Sequence, residues 1–272
     1  MQVHEAAKSA LPGFEAEHRL LCDAVREAGE LALKMFRAGV DAWDKRDGTP
    51  VSEADLAVDR LLAARLLEGL PGSGWLSEET ARDEESRSRR LVWIVDPIDG
   101  TSAFVAGTGH WCVGAALTLD GRPVAAAAFA PEQGRFYEAV KDGGARLNGE
   151  RLKVSSRAGL DGARIVAHKS VLNRERWRSG LAPQMTCAMT TSLILRHCLV
   201  ATGEYDATIA FGQKSDWDLA PGDLIVCEAG GASRDMSGKA FTYNRENTRQ
   251  SGLLAGPAAL LDELGERLHT SG

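Results

Sequence analysis

The hydrophobic pattern changes its period once, near Leu91, and nothing else in the chain restricts the fold as much. Before that point apolar residues recur at three- and four-residue spacing. Leu20, Leu21, Ala24, Ala28, Leu31, Ala32 and Met35 predict a helix over Glu15–Ala38, with Gly39 where a cap belongs. Leu56, Val58, Leu61, Leu62, Leu66 and Leu67 predict a second over Glu53–Leu70, ended by Pro71-Gly72. After it come strand-like runs, Leu91–Val95, Val113–Thr118, Pro123–Phe129 and Arg135–Val140. Asp120-Gly121, Pro131 and Asp142-Gly143 punctuate them, and Asn148-Gly149 marks a further hairpin. An antiparallel meander of this kind offers the two helices a face to cover. From Ala163 onward the types alternate, with strands over Ala163–Ala167, Tyr205–Ala210 and Leu253–Ala255 and helices over Thr191–Thr202, Leu219–Ala229 and Pro257–Leu268. Alternation implies a layered α/β lobe. The expected organisation is an N-terminal α+β lobe (1–155) and a C-terminal αβα lobe (156–272). Lys45–Pro50 reads as a turn and Ala81–Arg90 as an exposed charged loop.

Composition removes several classes of function. The 272 residues are 44% hydrophobic, enough to bury a sizeable core. A net charge of −6 argues against a nucleic-acid polymer or a membrane surface as partner. No run approaches the ~20 apolar residues of a membrane span, and the start lacks a signal-peptide core. The cysteines Cys22, Cys112, Cys187, Cys198 and Cys227 form no C-x-x-C pair, which argues against a disulfide framework or structural zinc and fits a reducing cytoplasm. The six histidines form no H-E-x-x-H and read as surface or packing residues.

The chemistry concentrates in Trp93–Thr101, WIVDPIDGT. An apolar run delivers Asp96 at a strand end, and Pro97 and Gly100 enforce a turn that brings Asp99 close. Gly100, Thr101 and Ser102 follow with backbone N–H groups suited to a phosphate. Three more acids stand at element boundaries: Asp55 opens the second helix, Glu78 follows Trp75-Leu76, and Asp218 begins a helix in SDWDLAPGDL, where Pro221 fits a first turn. Each acid alone has a plainer role: a turn residue, a helix start, an N-cap, a solvated surface glutamate. Together they demand cations, because two carboxylates ~4 Å apart repel by about 4 kcal/mol at an effective dielectric of 20. Hard oxygen donors select Mg²⁺, Mn²⁺ or Ca²⁺ over zinc.

WIVDPIDGT, DWDLAPGDLIVCEAGG (Asp216–Gly231), VSEAD (Val51–Asp55) and SEE (Ser77–Glu79) together resemble the inositol monophosphatase superfamily of Mg²⁺-dependent, often Li⁺-inhibited phosphatases, over roughly Glu15 to Leu268. The resemblance implies an α-β-α-β-α sandwich, an active site in the cleft between the lobes, and a homodimer. It implies that Glu78, Asp96 and the Ile98 carbonyl hold one Mg²⁺, and that Asp96, Asp99 and Asp218 hold a second. Two or three ions are implied in all, with Mn²⁺ as a substitute and Li⁺ as an inhibitor. Thr101 and Asp55 then orient the attacking water with Glu78 close by, and Gly100, Thr101 and Ser102 cradle the phosphate. Attack is direct, with no phosphorylated enzyme.

Departures from the family pattern bear on substrate. Ser77 and Thr190-Thr191-Ser192 stand where glycine or a Gly-Ser pair is common. Phe211–Asp218 (FGQKSDWD) lacks the acid that inositol-preferring members use, and it resembles the branch acting on 3′(2′),5′-bisphosphate nucleotides. Asp99, Ser192, Arg196, Lys214 and Asp218 are the expected substrate contacts, with Lys214 or Arg196 facing a second phosphate. The leading expectation is hydrolysis of 3′-phosphoadenosine 5′-phosphate. Inositol monophosphate, histidinol phosphate and a sugar bisphosphate such as fructose 1,6-bisphosphate are the alternatives. A non-catalytic divalent-metal-binding module is the rival from another class, and it has no need of the Thr101–Asp55 pair.

Overall fold

The computed structural model describes residues 13–45, 48, 50–80, 88–179 and 185–269. Most of the expected Ala81–Arg90 loop lies outside these residues, as do Arg46, Asp47 and Thr49 of the expected turn. Helix α1 (Glu15–Ala38) and helix α2 (Glu53–Gly69) open the chain, joined through a hairpin of β1 (Ala42–Asp44) and β2 (Pro50–Ser52). Their limits fall where the periodicity places them, because each keeps one apolar stripe buried: Leu21, Val25, Ala28 and Ala32 on α1, Val58, Leu62 and Leu66 on α2.

A seven-stranded sheet follows, made of β3 (Gly74–Ser77), β4 (Leu91–Asp99), β5 (Cys112–Leu119), β6 (Arg122–Ala130), β7 (Arg135–Val140), β8 (Gly144–Leu147) and β9 (Glu150–Arg151). The strands lie side by side in chain order, and every pair is antiparallel except β3 with β4. Helix α3 (Thr101–Val105) links β4 to β5. The second sheet has the order β11 (Thr186–Ala188), β10 (Arg164–Ala167), β12 (Ala207–Ser215), β14 (Arg249–Gly256), β13 (Ala232–Arg234). Its first three strands are parallel, and β14 runs antiparallel to both its neighbours. Helices α4 (Leu193–Ala201), α5 (Asp216–Glu228) and α6 (Ala258–Arg267) belong to this part of the chain.

Alternation along the strands sorts the core into layers. Trp93 and Val95 of β4, Val113, Ala115 and Leu117 of β5, and Ala125 and Ala127 of β6 pack with α1 and α2. The intervening residues Val92, Ile94, Ala116, Ala126 and Ala128 face α4 and α5, which share that core with Val166, Ala210, Leu253 and Ala255 of the second sheet. The outer face of that sheet, with Ile165, Ile209 and Leu254, is covered by Leu260, Leu261 and Leu264 of α6. The result is the expected α-β-α-β-α sandwich. Among the described residues no helix is long and apolar enough to cross a membrane.

Several boundaries differ from expectation, two of them where β12 passes into α5. Strand β12 runs on to Ser215 rather than stopping at Ala210, and α5 starts at Asp216 rather than near Leu219. Pro221 therefore lies in the second turn, where it removes the N–H that the Trp217 carbonyl would accept in a regular helix. Beside it Gly222 is crossed by α4 so closely that an added Cβ would lie 2.5 Å from the His197 Cβ.

Candidate active site

Asp96 and Asp99 are three residues apart, a spacing that puts side chains on opposite faces of a regular strand. The ladder between β4 and β5 shifts register between them: Asp96 pairs with Gly114 and Asp99 with Cys112. The extra residue on β4 turns both carboxylates to the α4–α5 side. Ile194 of α4 packs directly over Gly114: an added Cβ would lie 2.4 Å from Ile194 Cδ1, so that side chain would have to shift. Gly100 completes the turn at φ +98°, with the His110 carbonyl 2.9 Å from where a Cβ would stand, so only glycine fits.

The helix-borne acids are placed by one local device used twice. Ser52 caps α2 and Ser215 caps α5, and in each case the residue three positions on returns its carboxylate to the cap. Ser52 N–H donates to Asp55 Oδ2 at 2.8 Å, and Ser215 N–H donates to Asp218 Oδ2 at 2.8 Å. Asp218 is thus the third residue of its helix, not the N-cap. The other oxygen of Asp55 accepts the Thr101 hydroxyl at 3.1 Å, tying α2 to the β4–α3 corner. Glu78 follows β3, whose end is held by a short hydrogen bond from Ser77 to Asp59 of α2.

Electrostatics shows that these side chains converge. The Asp96 carboxyl is raised well above the ordinary range, by burial first and then by Glu78, Asp99, Asp218 and Asp55. Burial and Asp99 push Asp218 to about 7. Asp99 is raised to about 6 by burial, against the hydrogen bonds of Ser192 and the α4 amides and the charge of Arg196. Burial also raises Asp55, although its bonds to Ser52 and Thr101 oppose the shift. Asp96 Oδ1 is buried with no hydrogen-bond partner. An orphaned carboxylate oxygen amid several hard oxygen donors fits a divalent cation such as Mg²⁺.

Asp99 serves the fold as well. Its Oδ2 accepts Ser192 Oγ at 2.6 Å and Ile194 N–H at 2.5 Å, and its Oδ1 accepts Leu193 N–H at 3.2 Å. Ser192 is fully buried, so it holds Asp99 rather than facing open space, and the exposed Thr191 lines the cavities instead. Ser102 lines a cavity of about 360 Å³ with Thr108, His110, His168, Met189 and Thr191. A second, of about 270 Å³, is lined by His168, Ser170, Thr191, Arg196, Phe211 and Lys214. The buried Arg196 donates from Nε to the Thr190 carbonyl at 2.7 Å and acts electrostatically on Asp99, as Lys214 does on Asp218.

Lys45 and Glu79 escaped the sequence reading. Lys45 Nζ reaches Glu78 at 3.0 Å and Glu79 at 2.6 Å, placing a cation beside the acids. Burial raises Glu79 to about 7, with Lys45 opposing. A lone lysine in a polar turn carries no spacing signal; only SEET pointed to Glu79.

The profile described as inositol monophosphatase family matches residues 16–270. The 3′(2′),5′-bisphosphate nucleotidase CysQ of Aggregatibacter actinomycetemcomitans is 32% identical over 233 residues, covering 83% of this chain and 87% of that protein. Nus factor SuhB of Pseudomonas aeruginosa is 34% identical over 229 residues, covering 79% and 83%. In three dimensions the crystal structure of extragenic suppressor protein suhB from Bartonella henselae aligns with a TM-score of 0.79 at 25% identity, over 91% of this chain and 96% of that one.

Proposed function

The chain belongs to the inositol monophosphatase family, a generally metal-dependent family of phosphatases, and from that premise we propose Mg²⁺-dependent hydrolysis of a 3′(2′),5′-bisphosphate nucleotide. The observation that carries the choice is the cavity lined by Arg196, Lys214 and Phe211, whose two cations act on Asp99 and Asp218. Two cations beyond an acid cluster suit a second phosphate, and Phe211 offers a ring to a base; a neutral polyol needs neither. The similarity to a CysQ nucleotidase supports the same choice.

In this reading Glu78, Asp96, Asp99, Asp218 and the Ile98 carbonyl hold Mg²⁺. When bound, the metal supplies positive charge that acidifies water and offsets the charge gathering on the phosphoryl and leaving oxygens. The Thr101 hydroxyl lies within reach of both Asp55 Oδ1 (3.1 Å) and the Ile98 carbonyl (3.0 Å). With that carbonyl given to Mg²⁺, it would donate its hydrogen bond to Asp55, fixed by Ser52, and keep its oxygen lone pairs free to accept from the attacking water. Gly100, Thr101 and Ser102 present the turn on which the phosphate rests. The lobes 1–155 and 156–272 meet at this point, the first bringing Asp55, Glu78, Asp96 and Asp99 and the second Arg196, Lys214 and Asp218. A cytoplasmic homodimer completes the reading.

Phosphate release from 3′-phosphoadenosine 5′-phosphate and from inositol 1-phosphate, with and without Mg²⁺, tests it. The nucleotide should be preferred, and Lys214→Ala should raise its KM while leaving that for inositol phosphate unchanged. Preference for the inositol ester sinks the substrate assignment. Thermal stabilisation by Mg²⁺ without turnover of any phosphoester favours the non-catalytic module.

A further inference from the structure

On the face of the seven-stranded sheet that α1 covers, His18, Cys22 and Glu138 bring together a nitrogen, a sulfur and an oxygen donor. His18 and Cys22 are four residues apart on α1 and so share one side of the helix. Glu138 lies on β7, on the same sheet face as Phe136, and three strands from β4. Cys22 Sγ lies 3.4 Å from His18 Nε2 and 3.3 Å from Glu138 Oε2, and those two atoms are 3.8 Å apart. A four-coordinate ion with bonds of about 2.0–2.3 Å to nitrogen, oxygen and sulfur separates its ligand atoms by roughly 3.3–3.6 Å. The observed triangle is close to one face of that tetrahedron.

We propose that His18, Cys22 and Glu138 form a binding site for a borderline-soft divalent cation of the zinc class, separate from the acid cluster. The His18 and Glu138 side chains are 17% and 19% exposed, so the three donors are not sealed from solvent. Binding makes a metal–sulfur bond as the Cys22 thiol gives up one proton, and Glu138 Oε2, which already accepts that thiol, is placed to pass it to solvent. Burial lowers the His18 pKa, which favours the neutral ring, and metal binding takes the tautomer that leaves Nε2 unprotonated. The ion would tie α1 to β7 across 116 residues of chain. No C-x-x-C pattern announces such a site, because the third donor comes from a distant strand.

Cobalt titration of the full-length protein tests the site. A thiolate-to-cobalt charge-transfer absorption should appear with one equivalent of Co²⁺ and be displaced by Zn²⁺; the all-oxygen acid cluster cannot produce it. Cys22→Ser should abolish the absorption. His18→Gln, at a half-buried position where misfolding is a smaller concern, should weaken cobalt binding by more than about tenfold. Both variants should keep Mg²⁺-dependent phosphate release. Absence of the absorption, its survival in Cys22→Ser, or unchanged affinity in His18→Gln would each overturn the assignment.

Discussion

Single residues here carry two duties, and substitutions separate them. Asp96 Oδ1 makes no bond within the protein, so Asp96→Asn should leave the melting temperature within a few degrees while removing nearly all turnover. Retained turnover would refute its role as a metal ligand. Asp55 is bonded through both oxygens, and Asp55→Asn should lower kcat by about 10²-fold or more with little change in Mg²⁺ affinity, read from the Mg²⁺ dependence of the rate. Equal losses in both would make it a ligand. His197 carries a different duty. Burial lowers its pKa from 6.5 to about 4, so it stays neutral in the fold while the unfolded chain takes up a proton. Its contribution is complete above about pH 6.5 and is lost as pH falls towards 4, by up to about 3 kcal/mol. The denaturation midpoint of His197→Asn, subtracted from that of the parent at each pH, should show this slope; a flat difference would exclude it. The acids were legible because each sits at an element boundary, where composition and turn chemistry leave marks. Nothing local in the sequence shows that the Ser192 hydroxyl turns inward to Asp99.

At the scale of elements, legibility follows burial. Helices α1 and α2 were placed almost to the residue because each has one buried and one wet side. Strand β12 was cut short because hydrophobicity reports burial and not pairing: Gly212 and Gln213 are exposed, yet the ladder with β14 resumes at Gln213 after its register shift. The start of α5 was misplaced although its signal was present, since Ser215-x-x-Asp218 repeats the spacing of Ser52-x-x-Asp55. The crossing of α4 over α5 leaves room for no side chain at Gly222. Gly222→Ala should therefore cost about 1–3 kcal/mol in urea unfolding, despite the better helix propensity of alanine. A neutral or stabilising outcome would show that the two helices can separate.

For the molecule as a whole, the acid cluster sets how stability depends on metal and pH. Without metal, the folded state keeps protons on Asp99 (about 6) and Asp218 (about 7) that an unfolded carboxylate, near 3.8, has already lost. Stability of the metal-free protein should then fall as pH rises from about 4 to 7, the sign expected when the native state binds more protons. Bound at the proposed site, Mg²⁺ would remove the cause. Its stabilising increment in calorimetry should be larger at pH 8 than at pH 5, and equal increments would contradict a shared cation site. The layered architecture was readable from the change in period, but the meeting of α2, β4, α4 and α5 at one corner was not, because no local pattern records which strand ends adjoin. The bonds from Asp99 to the leading amides of α4 carry a last consequence. The carboxylate proposed to serve the reaction is also the bolt that seats one wall of the chamber, so Asp99→Asn should soften the scaffold as well as silence it, whereas Asp96→Asn should only silence it.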